Sequence, residues 1–400
     1  MKINPVFSLY RIARIPYLLP HGQGIADHKR GIRLNESGVF LWEQLCRHTD
    51  PAWVLEQFGA YCQAAPDELP LLERDLHSFL RQLADYDILT DPLASDLNGT
   101  SSAHFHTSFC PDPKPHPSTS LCIKIGPVHL RLTGPKEAFA SDLMPFRCAD
   151  IDRPDLAICI KAAGLSAPQQ ETVLIQSQTL RLSKTDGEYA MRFPQMPQIV
   201  GATLSIDGTR ACIYYQPPIT KTLSADLFHA VRFLFLYTAK KHGCYALHSA
   251  SILYHKQAWL FSGPSGMGKS THAALWNEHF HTPILNGDLN LLAFKDGVPV
   301  LYGLPWCGTS GIADTGCYPL GGIVLLNRGA TDECLTLTED RKILLSAHRL
   351  ISPAWDGAML QQSLDFMAAL AAQTRICLLK CTKNRSAAET LKKWVDLQDY

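Results

Sequence analysis

Residues 263–270 read Gly263-Pro264-Ser265-Gly266-Met267-Gly268-Lys269-Ser270, a complete G-x-x-x-x-G-K-S sequence. No other stretch constrains the fold as much, because this pattern works only between a strand and the start of a helix. The flanks comply. Ala258-Trp259-Leu260-Phe261 is a short apolar run of strand character, and Thr271 to Phe280 carries helical spacing through Ala274, Leu275 and Trp276. Glycines in such a loop let backbone amides curl around phosphate oxygens, aided by the helix N-terminus. Lys269 is then placed to neutralise the β- and γ-phosphates, and the Ser270 hydroxyl to hold Mg²⁺. The candidate nucleotide contacts are Gly263, Ser265, Gly266, Met267, Gly268, Lys269, Ser270 and the adjoining Thr271.

Composition narrows the class. Lys and Arg number 37 against 37 Asp and Glu, with 46% apolar and 18% charged residues, so there is no electrostatic footprint for nucleic acid or an anionic membrane. No apolar run approaches the roughly 18–20 residues of a membrane span. The most apolar helix, Leu227 to Tyr237, is interrupted by His229 and Arg232. Arg11 and Arg14 likewise interrupt what would be the apolar region of a signal peptide. The 13 cysteines are scattered singly with no C-x-x-C pair, which argues against a zinc site or a disulfide framework. The expectation is a cytosolic protein whose cysteines are mostly small buried hydrophobes in a reducing compartment.

Residues 94–118 are rich in proline and serine and poor in apolar residues, which reads as a linker. His104, His106 and His116 fall in it and read as linker residues, not metal ligands. Residues 1–93 form a small unit with an αβ rhythm. Val6 to Ile15 and Gly31 to Leu34 read as extended, and Asn35 or Ser37 can cap a helix running to about Arg47. Pro51 to Cys62 reads as a second helix. Pro70 to Tyr86 reads as a third, with Leu72, Leu76, Phe79, Leu80 and Leu83 on one side.

The run Arg33-Leu34-Asn35-Glu36-Ser37-Gly38-Val39-Phe40-Leu41-Trp42, the second helix, and a third ending in Leu83-Ala84-Asp85-Tyr86-Asp87-Ile88-Leu89 together resemble the PqqD family. That resemblance implies a small winged-helix domain that recognises the leader of a ribosomally made precursor peptide, held as an added strand on a sheet edge. An unrelated αβ module or a DNA-binding winged helix is the alternative, and the lack of basic clustering counts against DNA.

Residues 119–223 alternate short strands and turns, at Leu121 to Ile125, Val128 to Leu132, Ala157 to Ile160, Val173 to Ile175, Glu188 to Arg192, Ala202 to Ile206 and Ala211 to Tyr215. They read as a β-rich lobe. Ser224 to Lys241 is a strong helix opening the nucleotide-binding part, residues 224–400. There, strands are expected near 245–255, 258–262, 283–286, 290–294, 298–302, 322–327 and 375–380, and helices at 269–279, 338–350 and 357–372. The fold class that follows is a multidomain α+β and α/β protein.

A phosphate loop needs a second group before chemistry follows. Asn286-Gly287-Asp288 succeeds the apolar Pro283-Ile284-Leu285, so Asp288 stands at a strand end where an acid can ligate Mg²⁺ or accept a hydroxyl proton. His248 lies one strand before the loop strand and can orient that acid. Leu304-Pro305-Trp306-Cys307-Gly308-Thr309-Ser310 is a small-residue loop that reads either as a lining of an acceptor site or as a turn anchored by tryptophan. Nothing in the sequence argues for a lowered thiol pKa at Cys307.

His248, the loop with Ser265 and Gly266 in place, and Asp288 together resemble the HPr kinase/phosphorylase family, whose fold is related to phosphoenolpyruvate carboxykinase. The resemblance implies Asp288 as general base on an acceptor hydroxyl and His248 as its partner. It also implies Lys269 stabilising the transferred phosphoryl, and Ser270 with Asp288 as Mg²⁺ ligands. The chain departs from the family pattern at Gly287, where a first aspartate is expected, and at Thr271, where an acidic residue often follows the loop serine. The family's C-terminal signature for phosphorolysis is not evident either.

Joined, the two resemblances imply a kinase of precursor peptides. It would use ATP or GTP with Mg²⁺, bind the leader on residues 1–93, and phosphorylate a Ser or Thr hydroxyl. Alternatives consistent with the residues are a small-molecule kinase, an ATPase that activates a peptide for other chemistry, a nucleotide-gated peptide scaffold, and a regulator with a nucleotide sensor. The oligomeric state is open.

Overall fold

The computed structural model describes residues 2–90, 118–164 and 170–397. The linker expected at 94–118 falls almost wholly outside them. The chain divides into two compact units, Met1–Thr107 with Ala354–Gln361, and Ser108–Pro353 with Gln362–Tyr400.

In the first unit, β2 (Phe7–Ile12) and β3 (Ile15–Pro20) form a hairpin extended by β4 (Ile32–Arg33), while β1 (Lys2–Ile3) pairs with β5 (Leu89–Thr90). The single extended segment expected over 6–15 is thus cut by a turn. Ala13 and Arg14, with φ of 49° and 67°, make it without glycine or asparagine. A short α1 (Gln23–Ala26) precedes three longer helices, α2 (Glu36–Arg47), α3 (Pro51–Cys62) and α4 (Leu69–Asp85). Each begins for a local reason. Asn35 caps α2 by accepting from the Gly38 amide at 2.8 Å, and Asp50 caps α3, with Pro51 at its first position. Leu41, Trp42 and Leu45 of α2, Val54 and Phe58 of α3, and Leu76, Phe79, Leu80 and Leu83 of α4 share one core with Phe7 and Leu18. The segment Ala354–Gln361 belongs to the same unit: the Ala354 carbonyl accepts from the Gly22 amide, and the Gly357 carbonyl from the Tyr10 hydroxyl.

The second unit holds two eight-stranded sheets. The first contains β6 (Thr119–Ile125), β7 (Val128–Gly134), β8 (Leu156–Ala162), β9 (Thr172–Gln176), β10 (Arg181–Lys184), β11 (Glu188–Arg192), β12 (Ile199–Ser205) and β13 (Arg210–Tyr215), in the order 6-7-8-13-12-11-10-9. Only β10 was not expected. Its alternation is short and is masked by the polar Arg181, Ser183 and Lys184.

Helix α5 (Lys221–Lys241) packs against this sheet and against β14 (Tyr245–Tyr254) of the next. Tyr237 and Thr238 donate to the carbonyls of Ile206 and Gly208, fixing it to the β12–β13 turn. Residues 234–240 are all buried, as a helix apolar on every side requires when it lies between layers.

The second sheet comprises β14, β15 (Gln257–Ser262), β16 (Ile284–Asn286), β17 (Leu289–Lys295), β18 (Val298–Tyr302), β19 (Cys317–Arg328), β20 (Glu333–Thr336) and β21 (Arg375–Cys381). β15 pairs antiparallel with β14 and parallel with β19, and β19 runs parallel to β21. Helices α6 (Lys269–Phe280) and α9 (Arg385–Asp396) cover one face through Ala273, Trp276, Ala387, Leu391 and Val395, packed on Phe261, Val324 and Leu379. Two more helices precede α9: α7 (Glu339–Ala347), and α8 (Gly357–Gln373), whose residues from Gln362 on belong to this unit. α7 is shorter than the expected 338–350, because residues 348–350 turn out of the helix and bridge to β14 at Leu350, with the His248 amide donating to the Arg349 carbonyl.

Candidate functional site

The glycine loop leaves the carboxyl end of β15 beside the parallel strand β19, the edge at which open α/β sheets bind ligands. Gly266 and Gly268 have φ of 73° and 102°, and a Cβ at Gly266 would meet nothing within 4 Å. Backbone conformation, not space, therefore demands glycine there. Helix α6 starts at Lys269, so its first amides face the loop. The Lys269 side chain is buried and folds back to donate to the Gly263 carbonyl at 3.4 Å. Burial lowers its pKa and Arg349 adds to the effect, while Asp288 opposes it. Ser265, Ser270 and Thr271 are exposed, and Met267 is half-buried against the α6–α9 core.

Asp288 is placed by its neighbours. The buried Asn286 side chain accepts from the amides of Asp288 at 2.9 Å and Leu289 at 3.1 Å, and donates to the Leu304 carbonyl. The Asp288 carbonyl accepts from the Ser249 amide. With the turn locked in this way, Asp288 Oδ1 lies 3.1 Å from His248 Nε2. The hydrogen bond from His248 is the main reason the Asp288 carboxyl lies below the usual carboxylate range. Burial works against it, and the charges of Lys269 and Arg232 assist. The phosphate loop reaches the same turn, since the Ser270 hydroxyl donates to the Gly287 carbonyl at 3.4 Å.

The loop after Pro305 closes over this turn. Trp306 is 2% exposed, donates from Nε1 to the Phe228 carbonyl at 3.0 Å, and has its ring centroid 5.5 Å from Phe228 and 5.3 Å from Phe235 of α5. Gly308, at φ 61°, rests on Asp288; a Cβ there would stand 2.9 Å from Asp288 Cβ. At Gly287 a Cβ would fall on Ser310 Oγ and Cβ, well inside contact distance. Ser310 thus leaves no room for a side chain at 287.

Two groups beside the site carry no sequence signal. Arg349 follows α7 and, with Arg341, Leu345, Gly263, Pro264 and Met267, lines a cleft of about 190 Å³ at the loop. Arg232 of α5 is close enough for its charge to lower the Asp288 pKa. Both lie far from the loop in sequence, so only folding brings them to it.

Among the described residues no cluster of three or more His, Cys, Asp or Glu could cage a metal ion. Ser270, whose hydroxyl reaches the Gly287 carbonyl, and the adjoining Asp288 instead offer a hydroxyl and a carboxylate. That set fits Mg²⁺, which takes few protein ligands and completes its shell with substrate phosphates and water.

The fold and the site define a mixed α/β protein of two units, the second of which carries a glycine-rich loop between a strand and a helix. No protein-family model and no curated protein matches the chain. Among solved structures it is similar to the HPr(Ser) kinase/phosphatase from Coxiella burnetii, with 12% identity, a TM-score of 0.26, and coverage of 38% of this chain and 90% of that one. At that TM-score the chemistry rests on the geometry of the site itself. No helix among the described residues is long and apolar enough to cross a membrane.

Proposed function

We propose that the protein is a phosphotransferase that moves the γ-phosphoryl of ATP, or GTP, to a Ser or Thr hydroxyl of a peptide. The observation that carries this reading is the His248–Asp288 pair set beside the buried Lys269 and Ser270 at a phosphate loop. A carboxylate held ionised by a histidine hydrogen bond suits a general base. Asp288 takes the proton of the acceptor hydroxyl as its oxygen bonds to γ-phosphorus, and the bond to the β,γ-bridging oxygen breaks to release the nucleoside diphosphate. Lys269 opposes the charge gathering on the phosphoryl oxygens. Mg²⁺, held by Ser270 and Asp288, would neutralise phosphate charge. Positioning and electrostatics supply most of the rate in such transfers, so few residues suffice.

The proposed client is a ribosomal precursor peptide whose leader binds the first unit, the part that resembles PqqD. What supports this is a three-stranded sheet whose outer strands, β2 and β4, each have one unpaired edge among the described residues. An added strand would satisfy such an edge, and tethering would raise the effective concentration of the acceptor.

The test is to incubate the full chain with the peptide encoded beside its gene, Mg²⁺ and ATP or GTP, and to read phosphorylation by mass spectrometry. Asp288→Asn should abolish transfer and still bind a non-hydrolysable ATP analogue. Phosphate release without a phosphopeptide, or no transfer with either nucleotide, would refute the reading.

A further inference from the structure

The cations around Asp288 fall into two groups. Lys269 and Arg349 stand together at the loop, where Arg349 pushes the Lys269 pKa down and Asp288 pushes it up. Arg232 belongs to neither loop nor turn. It projects from α5, on the face that carries Phe228 four residues before it and Phe235 three after. Those two rings hold Trp306, and the loop that Trp306 anchors rests on Asp288 through Gly308. The same face of α5 thus neighbours the Asp288 turn, and the charges of Arg232 and Asp288 act on each other.

Its guanidinium lies 5.7 Å from the Phe233 ring centroid. Among the described residues no carboxylate forms an ion pair with it, and Asp288, whose charge acts on it, is already engaged by His248. One turn earlier on α5, His229 has its Nδ1 buried with no hydrogen-bond partner among the described residues. Burial and the neighbouring Arg232 both favour the neutral imidazole, with Asp226 opposing. A half-buried guanidinium and an orphaned imidazole nitrogen on one helix are costly unless something satisfies them.

We propose that Arg232 binds a carboxylate that the acceptor carries close to its reacting hydroxyl. This inference rests on the phosphotransferase reading, and it names the acceptor class: a Ser or Thr with a carboxylate beside it. A guanidinium fork matches a carboxylate in two parallel hydrogen bonds. A single guanidinium balances a monoanion but not a phosphate dianion. The carboxylate could come from an acidic neighbouring side chain or from a chain end, and both meet the same fork.

The test needs no turnover. Full-length protein loaded with a non-hydrolysable ATP analogue and Mg²⁺ is titrated calorimetrically with acetyl-Ser-Glu-amide and acetyl-Ser-Gln-amide, and with acetylserine and acetylserinamide. At least one acid should bind about tenfold or more tighter than its amide twin, as charge-assisted hydrogen bonds imply. The pair that shows the difference identifies the source. In Arg232→Gln the difference should vanish, while affinity for the nucleotide analogue stays within about twofold by the same arithmetic and the melting curve is retained. Arg232→Lys should keep part of it. Equal binding of acid and amide, no acid binding at all, a difference that survives in Arg232→Gln, or a loss of nucleotide affinity in that variant would each overturn the proposal. A chain that binds the acids selectively yet phosphorylates no peptide would sink the kinase reading instead.

Discussion

Asp288 can act as a base only when ionised, and its lowered pKa keeps it ionised through neutral and mildly acid pH. His248→Ala removes the largest cause of that lowering and leaves burial, which pushes the carboxyl up. The acid limb of the kcat/KM profile for transfer should therefore move to higher pH in His248→Ala, and an unchanged limb would deny His248 this role. Gly287 presents a different constraint. Gly287→Ala sets a Cβ against Ser310 and should destabilise the chain by about 1–3 kcal/mol, as overpacking does. Ser310→Gly in the same chain should recover much of that loss, because residues in contact do not add independently. Urea unfolding of the two single variants and the double reads both effects. Asp288 and His248 were legible as candidates because each flanks a strand next to the loop. The crowding of Gly287 by Ser310 was not, since Ser310 arrives from a separate loop.

At the scale of elements, the loop 306–311 depends on one anchor. Trp306 is buried between Phe228 and Phe235, and Trp306→Ala should cost about 3–5 kcal/mol in urea unfolding, typical of a truncated core aromatic. With the loop freed from α5, transfer to an acceptor should fall further than affinity for nucleotide; an equal fall in both would mean that the loop serves the donor side. Sequence periodicity located the helices with wide apolar faces, such as α4 and α5. It passed over α9, whose buried side rests partly on Ala387 and Ala388, residues that carry little apolar signal. The β2–β3 turn was missed for a related reason. Ala13 and Arg14 adopt positive φ with none of the residues that usually announce it.

For the whole molecule, the two large sheets share one helix. α5 read as a strong helix interrupted by His229 and Arg232, and those two residues were notable only for ruling out a membrane span. In the structure the same helix lies between layers, and the charge of Arg232 acts on Asp288. The return of Ala354–Gln361 to the first unit is another feature that no local pattern announces.

The sequence by itself determined the glycine-rich loop with the strand before it and the helix after it, and seven of the eight strands between 119 and 215. These depend on residue type at short spacing, where backbone geometry and periodicity are decided locally. Tertiary structure alone decided that Arg232 and Arg349 approach the site, that Ser310 excludes a side chain at 287, and that Asp288 is held ionised. Each of those depends on distance between residues far apart in the chain, and on burial, which makes an unpaired charge expensive enough to matter.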